Sequence, residues 1–280
     1  MAAVVQDVDV VAFGELLWDV IDGVPHIGGA PFNFAAHAAK CGLVSAIVSE
    51  VGDDDLGVRA YAAIDRLGVD GRFVGRHPTL PTGTVNVTLH DGIPAYEIVK
   101  PVAWDEIMVG CASALPKPRA FYFGSLAQRS PVSAKTLENL LKAFSSALVF
   151  FDVNLRQGYW SKPLVENCLA RTDVLKVNDE EMRTLGFVPA SLFLSHPNLK
   201  TVIETRGAAG CAVWSRDGEF FESPAIPDGP VVDTVGAGDS FSAAFLASVL
   251  KGESLAEAAR AGNLRAGKVA ARAGAIPEDM

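Results

Sequence analysis

A glycine-rich segment followed by a carboxylate is the part of this sequence best suited to chemistry. It runs from Asp233 through Gly236, Ala237 and Gly238 to Asp239, just before an apolar pattern of helical period. Small residues let a backbone approach a ligand closely, and the unpaired N–H groups at a helix N-terminus attract anions. A carboxylate there would repel a phosphate unless it takes a proton from an attacking hydroxyl. The segment predicts phosphoryl transfer with Asp239 as the base; a tight turn with a first-turn acid is the alternative.

A second segment of small residues lies near the start of the chain, where Gly28 and Gly29 precede Ala30, Pro31 and Asn33. The two segments stand about two hundred residues apart. In this order they resemble the two signatures of the ribokinase-like (PfkB) carbohydrate kinases, and the resemblance extends over nearly the whole chain. It implies an α/β enzyme that transfers the γ-phosphate of ATP to a sugar hydroxyl. A P-loop kinase is excluded because the sequence has no Gly-x4-Gly-Lys-Ser/Thr motif.

Composition and charge narrow the class of protein. The 280 residues are 49% hydrophobic, which suits one large α/β domain. The formal net charge of -9 argues against nucleic acid or an anionic membrane as a partner. No signal peptide and no apolar run of membrane-spanning length are found, so a cytoplasmic protein is expected. The widely spaced cysteines are expected to be reduced thiols; they are Cys41, Cys111, Cys168 and Cys211.

Short apolar runs that alternate with helical patterns predict the fold class. Val10–Gly14 is the first predicted strand, and a helix over Asn33–Cys41 follows it. Such alternation is typical of βαβ units, so we expect an α/β fold with a mostly parallel sheet between helix layers. Further strands are predicted at Ala46–Val48, Ala120–Phe123, Leu148–Phe151, Val174–Val177 and Thr201–Glu204, and further helices at Asp54–Leu67, Pro131–Phe144 and twice between Asp239 and Ala273.

Two regions with a different period predict a small second sheet. Thr82–Val99 alternates apolar and polar residues around a hairpin turn at Asp91-Gly92, and Asp19–Ile27 adds a short strand. The resemblance implies that this sheet is a lid over the substrate, whereas an edge hairpin without function is the alternative. The lid is expected from about residues 15–30 and 82–104, within a single ribokinase-like domain over residues 1–280.

The resemblance also implies residues on the phosphate side. The anion hole is expected from the backbone N–H groups of Gly236, Ala237 and Gly238. Asn178 and Glu181 match the family's Asn-x-x-Glu motif, in which Glu181 orders Mg²⁺ through water. A helix cap is the alternative for these two residues.

Further along the chain, Thr205, Gly207 and Gly210 match the turn that lines the nucleotide, with an ordinary turn as the alternative. Asn263 lies where the family has a residue near adenine, and a solvated helix position is its alternative. A monovalent cation, K⁺, is implied at Asp233, the carbonyl of Val235 and Gly274, although Glu278 stands where some members have serine.

For the acceptor sugar, Asp19 fits the family's carboxylate at the end of the first strand, and a carboxylate can accept hydrogen bonds from two hydroxyls. Gly28 and Gly29 allow the backbone to approach the sugar, with a simple turn as the alternative. The Asn33 side chain can both donate and accept hydrogen bonds. Arg156 ends an Asp-x-Asn-x-Arg segment and is expected to bind sugar or phosphate oxygens, unless it forms a surface ion pair.

Two positions at which this sequence differs from the ribokinases predict the acceptor sugar. Leu17 and Ala30 stand where ribokinases have asparagine and lysine, and the Gly-Gly-Ala-Pro-x-Asn form resembles the fructokinases, with Tyr96 as an apolar wall. Fructose is therefore the expected acceptor, with Mg²⁺-ATP as the donor. A 2-keto-3-deoxygluconate kinase, a nucleoside kinase and a non-catalytic sugar or nucleotide sensor are the alternatives. A homodimer is compatible with the resemblance.

Overall fold

A nine-stranded sheet and a separate four-stranded sheet organise the chain. The computed structural model describes residues 7–90, 93–110, 112 and 115–280, with the side chains of residues 87–96 outside the described part. Within these ranges the strands are β1 (Val10–Phe13), β2 (Leu17–Ile21), β3 (Val24–Gly28), β4 (Ser45–Gly52), β5 (Asp70–His77), β6 (Gly83–His90), β7 (Ile93–Ile98), β8 (Ala120–Gly124), β9 (Leu148–Asp152), β10 (Val174–Asn178), β11 (Thr201–Thr205), β12 (Cys211–Ser215) and β13 (Phe220–Ser223). The helices are α1 (Ala30–Lys40), α2 (Asp55–Arg66), α3 (Pro131–Ala143), α4 (Lys162–Leu169), α5 (Asp179–Leu185), α6 (Pro189–Ser195), α7 (Ala237–Leu250) and α8 (Leu255–Ala270).

The large sheet is mostly parallel. Its strand order is β13-β12-β11-β10-β9-β8-β1-β4-β5. Neighbours from β11 across to β5 pair in parallel, whereas β12 and β13 add an antiparallel edge. This arrangement confirms the predicted fold class.

Helices cover both faces of this sheet, as the side chains of β1 illustrate. Val10 and Ala12 are buried in one apolar cluster, which includes residues of α1, α2, α7 and α8. Val11 and Phe13 are buried in a second cluster, which includes residues of α3, α4, α5 and α6. A strand buried on both faces reads as a continuous apolar run, which is why the central strands could be predicted from their composition.

The carboxyl ends of the parallel strands meet along one edge of the sheet, where α/β proteins place their ligands. This edge gathers residues that are distant in the chain. They are Gly14 and Glu15 after β1, Asp152 at the end of β9, Asn178 at the end of β10 and Thr205 at the end of β11.

The smaller sheet has the order β3-β2-β6-β7, with a parallel pairing between β2 and β6 and antiparallel pairings elsewhere. The single short strand predicted over Asp19–Ile27 was wrong, because the segment forms a two-stranded hairpin. Its turn residues, Asp22 and Gly23, have φ angles of 50° and 77°. An Asp-Gly pair favours such left-handed turns. The predicted turn at Asp91-Gly92 lies outside the described residues.

The remaining differences concern edge strands and short helices. β5, β13 and the helices α4 and α6 were not predicted from the sequence, whereas α5 begins after Asn178, where a helix cap was the predicted alternative. β5 carries Gly71, Arg72 and Gly75 and lies at the edge of the sheet, and six of its eight residues are half-buried or exposed. Its composition therefore departs from the apolar runs of the central strands.

Two expectations from composition concern thiols and membrane spans. Cys41, Cys168 and Cys211 are free, and the latter two are buried, whereas Cys111 lies outside the described residues. Of the helices within the described ranges, none is long and apolar enough to cross a membrane.

Candidate active site

The first turn of α7 brings the predicted base against the first turn of α1. Asp239 is the third residue of α7, and its Oδ2 accepts a hydrogen bond of 2.9 Å from Asn33 Nδ2. The two residues are 206 positions apart in the chain. The two glycine-rich segments identified in the sequence therefore meet at one point, at the carboxyl edge of the large sheet.

Gly236, one of the residues predicted for the anion hole, has a structural need to be glycine. Gly236 has a φ of 75°, and a Cβ atom there would lie 2.5 Å from the carbonyl oxygen of Ala275. A Cβ atom at Gly238 would lie 3.2 Å from Lys176 Nζ, so this side of the helix faces a buried ammonium group. The Ala237 N–H donates to the Thr234 carbonyl at 3.2 Å and is occupied in this state.

A buried ion pair beneath this loop was not predicted from the sequence. Lys176 Nζ lies 3.0 Å from Asp152 Oδ1, and the two side chains are 9% and 1% exposed. Asp152 Oδ2 also accepts from the Tyr122 hydroxyl at 3.2 Å and lies 3.1 Å from Ser242 Oγ. Lys176 and Asp152 are direct neighbours in the register of β10 and β9. The register of the sheet thus fixes a positive charge next to the glycine loop.

The sequence did carry a signal for this pair. A lysine inside the apolar run of β10 and an aspartate at the end of the apolar run of β9 are charges at positions that a parallel sheet buries. Charged side chains are almost never fully buried unless they are paired. Two such residues on predicted strands could therefore have been proposed as partners.

Burial raises the pKa of Asp239 to about 6, and the Asp152 carboxylate adds to this effect. The hydrogen bond from Asn33 and the positive charges of Lys176 and Arg156 act in the opposite direction. Burial lowers the pKa of Lys176, but Asp152, Glu181 and Asp239 outweigh it, and the pKa of Lys176 stands above its ordinary value. The Asp239 carboxyl group is therefore mostly ionised near neutral pH, and Lys176 keeps its proton.

A second buried carboxyl group, that of Glu15, was not predicted from the sequence either. It follows β1 and is 2% exposed. Burial raises its pKa to about 7, and Asp239 contributes to the rise, whereas backbone hydrogen bonds and Arg156 oppose it. Within the described chain, Glu15 Oε2 has no hydrogen-bond partner.

On the predicted acceptor side, Asp19 lies on β2 of the smaller sheet. Burial raises its pKa to about 6, against the opposing charges of Arg156 and His26. A Cβ atom at Gly28 would lie 2.5 Å from Asp19 Oδ2. The absence of a side chain at Gly28 therefore leaves room for the carboxylate of Asp19. The sequence predicted Gly28 only for close approach of the backbone to a sugar. Gly29 has a φ of 103° and packs against the Glu15 carbonyl.

Arg156 lies on the exposed loop after β9. Its positive charge opposes the rise in the pKa of Glu15, Asp19 and Asp239, so its guanidinium group lies close to all three carboxyl groups. Arg156 Nη1 also lies 3.4 Å from the carbonyl of Leu155. The side chain of Tyr96, predicted as an apolar wall, lies outside the described side chains.

Asn178 and Glu181 form a capping box at the start of α5. Asn178 Oδ1 accepts from the Glu181 N–H at 2.8 Å, and Glu181 Oε2 accepts from the Asn178 N–H at 2.8 Å. Glu181 Oε1 accepts from the Leu155 N–H at 2.8 Å. Among the described residues no group of three His, Cys, Asp or Glu side chains could hold a metal ion. These residues fit a Mg²⁺ ion that is bound mainly by phosphates and water and reaches Glu181 through water.

The predicted nucleotide turn follows β11, with φ angles of 52° at Gly207 and 88° at Gly210. Thr205 Oγ1 contacts the Val177 carbonyl at 3.4 Å. The alternative of a solvated position for Asn263 is wrong, because this residue is 6% exposed. Its Nδ2 contacts the carbonyls of Ser223 and Pro224 at 2.9 and 3.1 Å, so Asn263 fastens the segment after β13 to α8.

The residues predicted for a monovalent cation lie together. Asp233 Oδ1 accepts from the Val235 N–H, and Asp233 Oδ2 accepts from the Gly274 N–H, both at 3.0 Å. A carboxylate fixed between two backbone segments fits a cation bound by oxygen atoms. Glu278 is directed elsewhere, to an exposed ion pair with Arg66 at 2.8 Å.

Comparison with known proteins finds relatives along nearly the whole chain. The model of the pfkB family carbohydrate kinases matches residues 2–279. Fructokinase-2 of Solanum lycopersicum is 28% identical over 276 residues, covering 89% of this chain and 84% of that protein. Fructokinase-2 of Zea mays is 29% identical over 278 residues, covering 88% and 81%. The crystal structure of an uncharacterized sugar kinase from Pyrococcus horikoshii in complex with ATP has a TM-score of 0.83 and 26% identity, covering 95% of this chain and 94% of that one.

Replacing Lys176 by methionine is expected to lower the free energy of unfolding by about 3–5 kcal/mol, because Asp152 would remain as an unpaired buried charge. Urea denaturation measures this change. The double variant Lys176→Met, Asp152→Asn removes both charges and should recover most of the loss, since the amide oxygen of the new side chain can still accept hydrogen bonds from Tyr122 and Ser242. Equal stability of the single and the double variant would show that the pair is not the source of the loss.

Replacing Asp239 by asparagine is expected to stabilise the protein at pH 7.5 by up to about 3 kcal/mol. The folded pKa of about 6 lies above the ordinary value of 3.8, so the folded state binds more protons between these values and stability falls as the pH rises. The gain should therefore shrink as the pH is lowered from 6 towards 4. Thermal unfolding at several pH values measures it, with Asp217→Asn at an exposed turn as the control. A gain that is the same at pH 4 and pH 7.5 would contradict the assignment.

Proposed function

Because this chain belongs to the pfkB family of carbohydrate kinases, we propose that it is a fructokinase, which transfers the γ-phosphate of ATP to a hydroxyl group of fructose. The 2.9 Å hydrogen bond between Asn33 and Asp239 is the observation that carries this proposal. It joins the segment expected to bind the sugar to the carboxylate expected to take the sugar's proton. The two functions must meet at one point for phosphoryl transfer, because the reaction depends mainly on positioning and charge.

In the proposed reaction, Asp239 accepts the proton of the attacking hydroxyl as the new oxygen–phosphorus bond forms. The bond between the γ-phosphorus and the β–γ bridging oxygen breaks, ADP leaves, and the proton remains on Asp239. A base with a pKa of about 6 suits this task near neutral pH, since it is ionised and still basic enough to take a proton in the transition state.

Charge compensation on the phosphate side is assigned to Lys176 and the start of α7. Lys176 lies next to Gly238, and the first-turn N–H groups of α7 add the positive end of the helix dipole. Asp152 holds Lys176 in place through the 3.0 Å ion pair. A bound Mg²⁺, reached from Glu181 through water, would supply further positive charge to the phosphates. The likeness to the ATP-bound Pyrococcus kinase supports ATP as the donor.

The smaller sheet is proposed as the lid over the acceptor. Asp19 lies on this sheet. The positive charge of Arg156 acts to lower the pKa of its carboxyl group, as it does for Glu15 and Asp239. We assign Asp19 and Asn33 to the sugar hydroxyls and Arg156 to sugar or phosphate oxygens. Gly29 shapes the turn before α1, and a K⁺ ion at Asp233 would stabilise the loop that leads into α7.

Fructose is proposed as the acceptor for two reasons. Leu17 is buried among apolar residues and Ala30 is a small buried residue, so neither offers the polar group that a ribose site would use. The plant relatives at 28–29% identity are named fructokinases. A sugar hydroxyl buried without a hydrogen-bond partner costs about 1–3 kcal/mol, which is enough to discriminate between acceptors.

Replacing Asp239 by asparagine is expected to lower kcat by about 10²-fold to 10⁴-fold, because the base is lost while the phosphate site remains. A coupled assay of ADP release with fructose measures kcat, and circular dichroism checks the fold. Asp217→Asn, at an exposed turn, serves as the matched control and should keep the wild-type rate. Near-normal turnover by the Asp239 variant would sink the assignment of the base.

A panel of acceptors tests the choice of sugar. Fructose is expected to give a kcat/KM at least ~10-fold above that of ribose, because one or two lost hydrogen bonds suffice for this ratio. Asp19→Ala should raise the KM for fructose more than the KM for ATP. If ribose, a nucleoside or 2-keto-3-deoxygluconate gave the highest kcat/KM, the acceptor would be reassigned within the kinases. Absence of turnover with every acceptor would favour the sensor alternative.

A further inference from the structure

We propose that His37 is a positioning residue for the phosphate site: its imidazole holds the Ala275 carbonyl against Gly236 and so fixes the glycine-rich loop at the start of α7. The inference rests on the proposed kinase function for its effect on ATP, but its structural part stands without it. Three observations carry it, namely the contact between Ala275 and Gly236, the hydrogen bonds of His37 and the place of His37 on α1.

The backbone at Ala275 packs directly against the N-cap of α7. Gly236 is this N-cap and has a φ of 75°. A Cβ atom at Gly236 would lie 2.5 Å from the Ala275 carbonyl oxygen and 2.7 Å from the Ala275 Cα atom. Because protein interiors are close-packed, a shift of Ala275 changes the space in which Gly236 lies. The position of the predicted anion hole therefore depends on the segment around Ala275.

The His37 side chain is completely buried and binds this carbonyl. His37 Nε2 lies 2.9 Å from the Ala275 carbonyl oxygen, and His37 Nδ1 lies 3.2 Å from Nη2 of Arg265. An arginine guanidinium can only donate, so Nδ1 accepts this hydrogen bond. A neutral imidazole must then carry its proton on Nε2. The Nε2–H group therefore donates to the Ala275 carbonyl.

The surroundings of His37 keep its imidazole neutral. Burial lowers the pKa of His37 to about 4, and the charges of Arg265 and Lys40 add to this effect, whereas the hydrogen bond with Ala275 opposes it. Near neutral pH the ring therefore has one donor and one acceptor, and both are used. A side chain with a donor and an acceptor at similar reach can replace it, and glutamine is such a side chain.

One face of α1 reaches both the base and the C-terminal segment. Asn33 and His37 are four residues apart in α1, so their side chains are neighbours on the helix surface. Asn33 Nδ2 donates to Asp239 Oδ2 at 2.9 Å, in the first turn of α7. His37 acts one residue before that turn, through Ala275 and Gly236. The same helix therefore holds the glycine-rich loop and the carboxylate that follows it.

A second hydrogen bond holds the C-terminal segment one residue before Ala275. The Gly274 N–H donates to Asp233 Oδ2 at 3.0 Å, and Asp233 lies three residues before Gly236. The segment is thus fastened both to the start of the glycine-rich loop and to α1. Without His37 the buried Ala275 carbonyl would lose its side-chain donor, and an unsatisfied buried acceptor is costly. We expect the segment to rearrange in response, and Gly236 with it.

The test compares three substitutions at this position by calorimetric titration with Mg²⁺-ATP. His37→Phe keeps a ring without hydrogen bonds, His37→Asn has an amide too short to reach Ala275, and His37→Gln places an amide nitrogen at the reach of Nε2. We expect the Kd for ATP to rise about 10-fold in the phenylalanine and asparagine variants, the effect of weakening one hydrogen bond to a charged group. His37→Gln should stay within about 3-fold of the wild type. If the phenylalanine variant does not fold, the contrast between Asn and Gln decides.

Steady-state kinetics show which substrate site is affected. In the phenylalanine and asparagine variants the KM for ATP should rise with the Kd, whereas the KM for fructose should change less than about 3-fold. Equal increases in both KM values would overturn the assignment of His37 to the phosphate site.

Two control variants separate this role from a general loss of stability. Thr136→Val on α3 removes the side-chain donor of another buried carbonyl, that of Ile107, which Thr136 Oγ1 binds at 2.7 Å. Lys40→Met removes the ammonium group that binds the carbonyls of Pro277 and Met280 at 2.8 and 3.1 Å, further along the same segment. Both should keep the Kd for ATP within about 3-fold of the wild type. A 10-fold rise in either control would overturn the inference, as would an unchanged Kd in the asparagine variant or a glutamine variant as weak as asparagine.

Crystal structures of the variants provide the arm that does not depend on ATP or on turnover. We expect the Ala275 carbonyl to move away from Gly236 in His37→Asn and to keep its place in His37→Gln. An Ala275 backbone in its wild-type position in the asparagine variant would overturn the positioning role even if no nucleotide were bound. Failure of the wild type to bind ATP or to turn over any acceptor would count against the kinase proposal alone.

Discussion

Charge balance around one buried carboxylate is the constraint on which the site depends. Asp239 lies near Asp152 and Glu15, and its own pKa is raised by burial. A phosphate bound at the start of α7 would add more negative charge to the same place. Lys176 offsets this charge from below the loop, and the pairing of β9 with β10 sets its position. A slip of one residue in that register would turn Lys176 to the opposite face of the sheet and leave Asp152 buried without its partner.

Much of the fold could be predicted because the central strands are buried on both faces. β1, β8 and β9 are continuous apolar runs, and their positions follow from composition alone. The prediction failed where burial is partial. β5 contains glycine and arginine and lies at the edge of the sheet. The β2–β3 segment was predicted as one strand, although it contains the Asp-Gly turn at Asp22 and Gly23.

The candidate site was predictable where its residues form local motifs and not where they act through packing. Asp239 and Asn33 lie in glycine-rich segments with a recognisable pattern, and the structure brings them into contact. Lys176 and Glu15 have no motif of their own, since their burial depends on which strand or helix lies beside them. Gly28 was predicted for a sugar, yet its lack of a side chain accommodates the Asp19 carboxylate. Contacts of this kind depend on tertiary packing, which cannot be predicted from local patterns in a single sequence.

The distance of 206 residues between Asn33 and Asp239 has a consequence for how the protein acquires its activity. Contacts between such remote segments close a very long loop, and folding that depends on them is slow compared with folding through local contacts. During synthesis the sheet can begin to form from its N-terminal strands, but α7 comes from the last part of the chain. A nascent chain therefore carries half of the site without the base, and the complete constellation appears only when the C-terminal helices dock. Recovery of the Asn33–Asp239 contact after dilution from denaturant would mark the final step of assembly.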